Sequence, residues 1–165
     1  MGHFARHRTE STLRRHMEYK GIFETELIDR TLEIINEYKG DKEDTLFLNC
    51  CTGLLVIPKQ QLHNALPQDE ISEVEWGIDP ALIKIETDKS IQKVATHIRN
   101  AISHDGFEFY SSDGKHITNI RLTDWKGLPR TNANKTFELN LSITAFKKFI
   151  LRFAKFAIEN KTQFI

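Results

Sequence analysis

Between Leu46 and Ile57 the chain strings together Leu46, Phe47, Leu48, Cys50, Cys51, Leu54, Leu55, Val56 and Ile57. A helix built from this run is apolar nearly all round, and such a helix lies in the middle of a bundle, covered on every side. The run is interrupted by Asn49, Thr52 and Gly53 and is too short to span a bilayer. The cover must therefore come from other protein elements, each offering one apolar face. Asp44 is placed to cap this helix, which should run from Thr45 towards Leu66. Pro58 should kink it or divide it in two.

The covering faces can be read at helical spacing. Ile22 to Tyr38 carries Ile22, Phe23, Leu27, Ile28, Leu32, Ile34 and Ile35, and Gly40 ends it. Asp88 to His104 carries Ile91, Val94, Ala95, Ile98 and Ile102 on one side. Ser142 caps a last helix with the stripe Phe146, Phe149, Ile150, Phe153, Phe156 and Ala157. Pro67 to Thr87 reads as irregular, tied down by Trp76 and Ile78. Phe107 to Tyr110 and Ile117 to Trp125 flank an Asp113-Gly114 hairpin signal, and Thr136 to Leu141 alternates like a third strand. The expected fold is mainly α: a bundle of four to five helices with a small antiparallel β-insertion, about 107–141, before the last helix. A chain of 165 residues has room for one such domain, 21–165, behind a basic arm, 1–20. That arm, with Arg6, Arg8, Arg14, Arg15 and Lys20, is either a solvated leader to the domain or a segment that touches RNA phosphates.

Lys plus Arg and Asp plus Glu both number 23, so the net charge is zero and no overall field draws the chain to nucleic acid. Any such contact must come from a local patch. The only cysteines, Cys50 and Cys51, are adjacent and read as buried thiols of a reducing cytoplasm. The polar and basic stretch Met1 to Lys20 lacks a secretory signal, so a cytoplasmic location without membrane contact is expected. There is no Gly-rich phosphate loop, no His-Glu-x-x-His helix and no Cys-x-x-Cys pair, so neither a metal nor a cofactor is expected. His97 and His104 lie two turns apart, about 10 Å along a helix axis, too far to share one ion unaided.

The residues with chemistry stand on the helix that ends at His104. Lys93, His97, Asn100 and His104 cluster opposite its apolar stripe. Histidine exchanges a proton near neutral pH, and the planar charge of Arg99 suits phosphate. Asn100 and His104 are one turn apart, whereas Arg99 and His104 are about 140° apart on an ideal helix. One copy of the helix therefore presents an incomplete site, and two copies across a two-fold axis would complete it. The plainer reading of His104 is an exposed residue that favours the helix dipole.

The stretch Arg99-Asn100-Ala101-Ile102-Ser103-His104 resembles the Arg-Asn-x-x-x-His signature of the HEPN superfamily (higher eukaryotes and prokaryotes nucleotide-binding). Asn49 to Lys59 also resembles a segment of some HEPN proteins, with a polar residue, an apolar stretch and a Pro-basic pair. The resemblance implies a helical HEPN domain that acts as a metal-independent endoribonuclease of the toxin or phage-defence type. Its site would be shared by a homodimer, and it would leave 2′,3′-cyclic phosphate and 5′-hydroxyl ends. His104 would be the general base or acid, Arg99 the stabiliser of phosphorane charge, and Asn100 would orient the His104 ring or hold the phosphate. An antitoxin protein is a further implied partner. Some HEPN toxins carry a tyrosine two residues after the histidine, where a nucleotidyltransferase antitoxin modifies them; here Gly106 stands at that position.

RNA contacts are expected at Lys93 and His97, and at Lys148, Arg152 and Lys155 on the flank of the last helix, unless that flank is an ordinary solvated face. The alternative function is a non-catalytic HEPN module that binds nucleotide or RNA, or scaffolds a dimer.

Overall fold

The computed structural model describes residues 23–40, 42–57, 60–112, 114 and 116–160. The basic arm 1–20 lies outside them. Helix α1 (Phe23–Glu37) leads to α2 (Glu43–Cys51), which widens into a turn of π-helix at Thr52–Val56. Then follow α3 (Gln60–Asn64), the single turn α4 (Glu73–Trp76), the short strand β1 (Ile83–Lys84) and α5 (Ile91–Ser103). Strands β2 (Phe107–Tyr110), β3 (Asn119–Trp125) and β4 (Lys135–Ser142) precede α6 (Ile143–Glu159).

The apolar run occupies the centre, as its composition demands. The π-helical turn packs against α1, α5 and α6, and Leu54 and Leu55 are fully buried there. The run is divided as expected: the wide turn ends at Val56 and a separate α3 starts at Gln60, on either side of Pro58, which lies outside the described residues. Asp44 does not cap α2. Lys42 holds that place, and Asp44 sits in the first turn with Lys147 Nζ at 2.7 Å. The cap expected at the last helix is present, Ser142 Oγ accepting from the Ala145 N–H, and α5 has one that was not anticipated, Ser90 Oγ accepting from the Lys93 N–H. Cys51 is buried as expected, but Cys50 is half-exposed. Burial raises both thiols above their ordinary range, Cys51 far more.

The sheet is larger than an insertion. Its four strands run in the order β1-β4-β3-β2, all antiparallel. β1 comes from the segment expected to be irregular, and it reaches the sheet before α5 begins. Two residues are too few to show alternation, so only the pairing of Ile83 with Leu139 and of Lys84 with Glu138 reveals the strand. The same segment holds α4, whose Trp76 is buried as anticipated. One face of the sheet, with Ile120, Leu122, Phe137, Leu139 and Leu141, is buried towards α5 and α6. Mainly helical, with a small antiparallel sheet, the domain has α5 wedged between bundle and sheet. Among the described residues no helix is long and apolar enough to cross a membrane.

Candidate functional site

Helix α5 carries one polar edge towards the sheet and another towards α3. On the sheet side, His97 is only 6% exposed and stacks flat on Phe137, ring centroids 4.8 Å apart. Its Nδ1 lies 2.8 Å from Asp124 Oδ2 and its Nε2 lies 2.9 Å from Glu86 Oε2. A ring protonated on both nitrogens can donate to both carboxylates at once. This corrects the expectation of a solvated, RNA-facing His97. The helical wheel placed it off the apolar stripe correctly, but β3 and β4 cover that flank.

The partners come from distant segments. Asp124 follows Ile120 and Leu122 on the inner face of β3, where strand alternation turns every second side chain inward. Phe137 is its cross-strand neighbour on β4. Glu86 lies just beyond β1, and its Oε1 accepts from the N–H groups of Thr87 and Asp88. Burial alone would raise both carboxyl groups. For Glu86 the Asp88 N–H and the His97 ring outweigh it, and for Asp124 the His97 ring and the Asn100 amide do so. Both are held below their ordinary values.

Asn100 extends this network. Its Nδ2 donates to Asp124 Oδ2 at 3.1 Å, and its Oδ1 accepts from Arg99 Nη2 at 3.3 Å. The structure thus links Arg99 to Asn100, and Asn100 to the buried Asp124 carboxylate. It does not bring the Asn100 side chain to the His104 ring; these residues meet through the backbone, the His104 N–H donating to the Asn100 carbonyl at 2.9 Å.

On the far edge Arg99 lies near His63, and its charge acts on that ring. His63 is fully buried against Phe153, with Nε2 3.1 Å from the Leu55 carbonyl in the π-helical turn. Burial, with a smaller push from Arg99, lowers its pKa to about 4, so it is neutral at physiological pH.

His104 itself is exposed, at the C-cap of α5. Asp105 turns left-handed with φ 56°, and the Gly106 N–H donates back to the Ala101 carbonyl at 2.6 Å. This closes the helix in the Schellman manner. Gly106 is needed for closeness: a Cβ there would collide with the Thr123 carbonyl and lie 3.0 Å from the Trp125 ring. The tyrosine position of some HEPN toxins is thus filled by the backbone of β3. Arg130, from the loop between β3 and β4, donates to the carbonyls of His104 and Asp105 and lies over the Trp125 ring.

Of the expected RNA contacts, Lys93 is exposed and 3.7 Å from Glu86. The flank of α6 is not a bare basic face. Lys148 donates to the carbonyls of Glu73 and Val74, and Arg152 pairs with Glu75 at 2.7 Å while covering the Trp76 ring. These two residues tie α4 to α6, Lys148 through backbone carbonyls of the one-turn helix and Arg152 through the Glu75 carboxylate. Lys155 is exposed, 3.7 Å from Glu159. Among the described residues no group of three or more His, Cys, Asp or Glu is arranged to hold a metal ion.

Sequence reasoning missed Asp124, Glu86, His63 and Arg130. Only Asp124 left a signal: a carboxylate continuing the inward alternation of Ile120 and Leu122 needs a buried partner.

The mainly helical domain described above agrees with the family comparison. The family model HEPN pEK499 p136 matches residues 10–164. The chain belongs to this HEPN family. No curated protein and no solved structure matches the chain. Membership supports a nuclease or RNA-binding module as the general class.

Proposed function

We propose that this HEPN protein is a metal-independent endoribonuclease, and that the end of α5 is its catalytic element. The observation that carries the reading is the hydrogen-bond chain from Arg99 through Asn100 to Asp124, beside an exposed His104 on the same helix. Arg99 is a cation held by its neighbours, ready to stabilise a phosphorane. Asn100 uses both amide atoms within the fold, so its role is to position Arg99 rather than to touch substrate. His104 exchanges the protons.

In the proposed step the ribose 2′-oxygen attacks the adjacent phosphorus as the bond from phosphorus to the 5′-oxygen breaks. The 2′-hydroxyl proton passes to one histidine, and a second, protonated histidine gives one to the departing 5′-oxygen. The products are a 2′,3′-cyclic phosphate and a 5′-hydroxyl. DNA lacks the nucleophile and is spared. Two histidines are available if two copies of α5 meet across a two-fold axis, which would also unite Arg99 and His104 from different helical edges. A growth-arresting toxin or phage-defence effector, restrained by a protein antitoxin in the cytoplasm, fits such an activity. Absent the tyrosine position at Gly106, that restraint would not use tyrosine modification there.

Incubation with single-stranded RNA in EDTA, with end-group analysis of the products, tests the reading. Cleavage with cyclic phosphate ends, lost in His104→Ala, is the expected result. A strict magnesium requirement with 5′-phosphate ends would overturn it. RNA bound but never cleaved would move the chain to the non-catalytic HEPN module. Light scattering should give a dimer, and co-expression of a His104→Ala chain should lower wild-type activity beyond dilution.

A further inference from the structure

Beside the end of α5 lies an open cleft of about 170 Å³, lined by Asp105, Gly106, Phe107 and Glu108 and by groups from β3, β4 and the loop between them. Its cations are Arg121, Arg130 and Lys135, and its aromatic surface is Trp125. Lys135 is engaged by Glu138 at 2.7 Å. Arg121 lies over the Tyr110 ring, 5.0 Å from its centre, with Nη2 3.7 Å from the exposed Glu108 carboxylate. Arg130 lies with its guanidinium 5.3 Å from the Trp125 ring centre and reaches the backbone of His104 itself.

We propose that this cleft binds one nucleotide of single-stranded RNA next to the scissile phosphate, its base on the Trp125 and Arg130 planes and its phosphate on Arg121. The proposal rests on the ribonuclease reading for its substrate. Three chemical features favour it. An indole face with a guanidinium over it is a stacking platform for any base. The amide of Asn132 and the hydroxyl of Thr131 line the same cleft and can address base edges. With Lys135 paired to Glu138, the two arginines balance the carboxylates of Asp105 and Glu108, so a phosphate would be held by direct contact with the planar Arg121 guanidinium rather than by a net field. Size agrees: sites that engulf a free small molecule run from about 300 to 1,000 Å³, so this cleft suits one unit of a longer strand. Arg130 would couple the two sites, since one side chain touches both the base platform and the His104 carbonyl.

The test uses the wild-type protein with a 2′-O-methyl octauridine, which has no free 2′-hydroxyl and cannot be cut. Binding is read by tryptophan fluorescence, to which the buried Trp76 should contribute little change, and by its dependence on salt. We expect quenching in the wild type that is absent in Trp125→Phe. Arg121→Ala, which also removes the Glu108 ion pair and the contact with the Tyr110 ring, should weaken binding on the order of tenfold and lower the salt slope by about 0.7, with a thermal melt to confirm folding. Arg130→Ala should weaken it similarly, with a thermal melt to confirm folding. Octamer affinity that ignores Arg121 and Arg130, or no octamer binding at all, would overturn the site. Quenching by octaglutamate but not by the octamer would instead assign the cleft to an acidic protein partner. Cleavage of unmodified RNA, scored separately, isolates the ribonuclease reading. A chain that cleaves with a silent cleft keeps that reading and loses this site; one that quenches and responds to Arg121→Ala without cleaving does the reverse.

Discussion

His97 and His104 sit on nearly the same face of one helix, about 20° apart by ideal geometry, yet they live in different media. His97 lies under Phe137, clamped between Glu86 and Asp124, whereas His104 stands at the helix end in solvent. The difference is where the sheet stops. Strands β3 and β4 cover the middle of α5, and β2 leaves the helix end through Gly106. The middle of α5 is thus a polar lock that fixes the helix against the sheet, and its end is free for chemistry. Asn100 lies between them, bonded sideways to the lock and followed one turn later by His104. A nuclease site on such a helix needs both halves: groups fixed to a fraction of an ångström, and a histidine that solvent and substrate can reach.

The sharpest way to break this contrast is to truncate each histidine. His104→Ala should lower RNA cleavage by a hundredfold or more while shifting stability by less than about 0.5 kcal/mol. His97→Ala should do the opposite in kind. It leaves two partly buried carboxylates without their shared donor and should cost roughly 3 kcal/mol in denaturant unfolding. If His97→Ala proved fully stable but inactive, the lock would be the chemistry and the contrast would fall. Gly106→Ala probes the boundary between the regions. Its Cβ would press on the Thr123 carbonyl, so a loss of about 2 kcal/mol is expected, with a melting curve as readout. An alanine tolerated without loss would mean that β3 can yield there.

Acid should separate the regions more gently. Glu86 and Asp124 titrate lower in the folded chain than when unfolded. Between the two values the unfolded chain holds more protons, so stability rises with pH in that window. Their contribution is complete above about pH 4.5, the ordinary value for Glu, and fades as the pH falls through the depressed folded values. Unfolding followed from pH 6 down to pH 3 should show this loss, and Asp124→Asn should flatten it. An unchanged profile in that variant would remove Asp124 from the lock.

Much of the helical layer was legible because burial imposes a period. The stripes of α5 and α6, the Ser142 cap and the central place of Leu46 to Ile57 follow from spacing and residue type alone. Arg99, Asn100 and His104 were legible as residue types at a spacing. Their surroundings were not. His97 meets carboxylates 11 and 27 residues away, and β1 is two residues long, so neither leaves a periodic trace.

What the chain determines by itself is therefore local and periodic: which segments coil, which face of each is apolar, and where proton-exchanging and cationic groups stand along them. Tertiary structure alone decided which polar faces meet water. A helical wheel measures angle about an axis, but cover depends on how far a neighbouring sheet extends along that axis. That extent is set by cross-strand pairings such as Asp124 with Phe137 and, between segments far apart in the chain, Ile83 with Leu139. For that reason one histidine of α5 became part of the core, and the other was left in solvent.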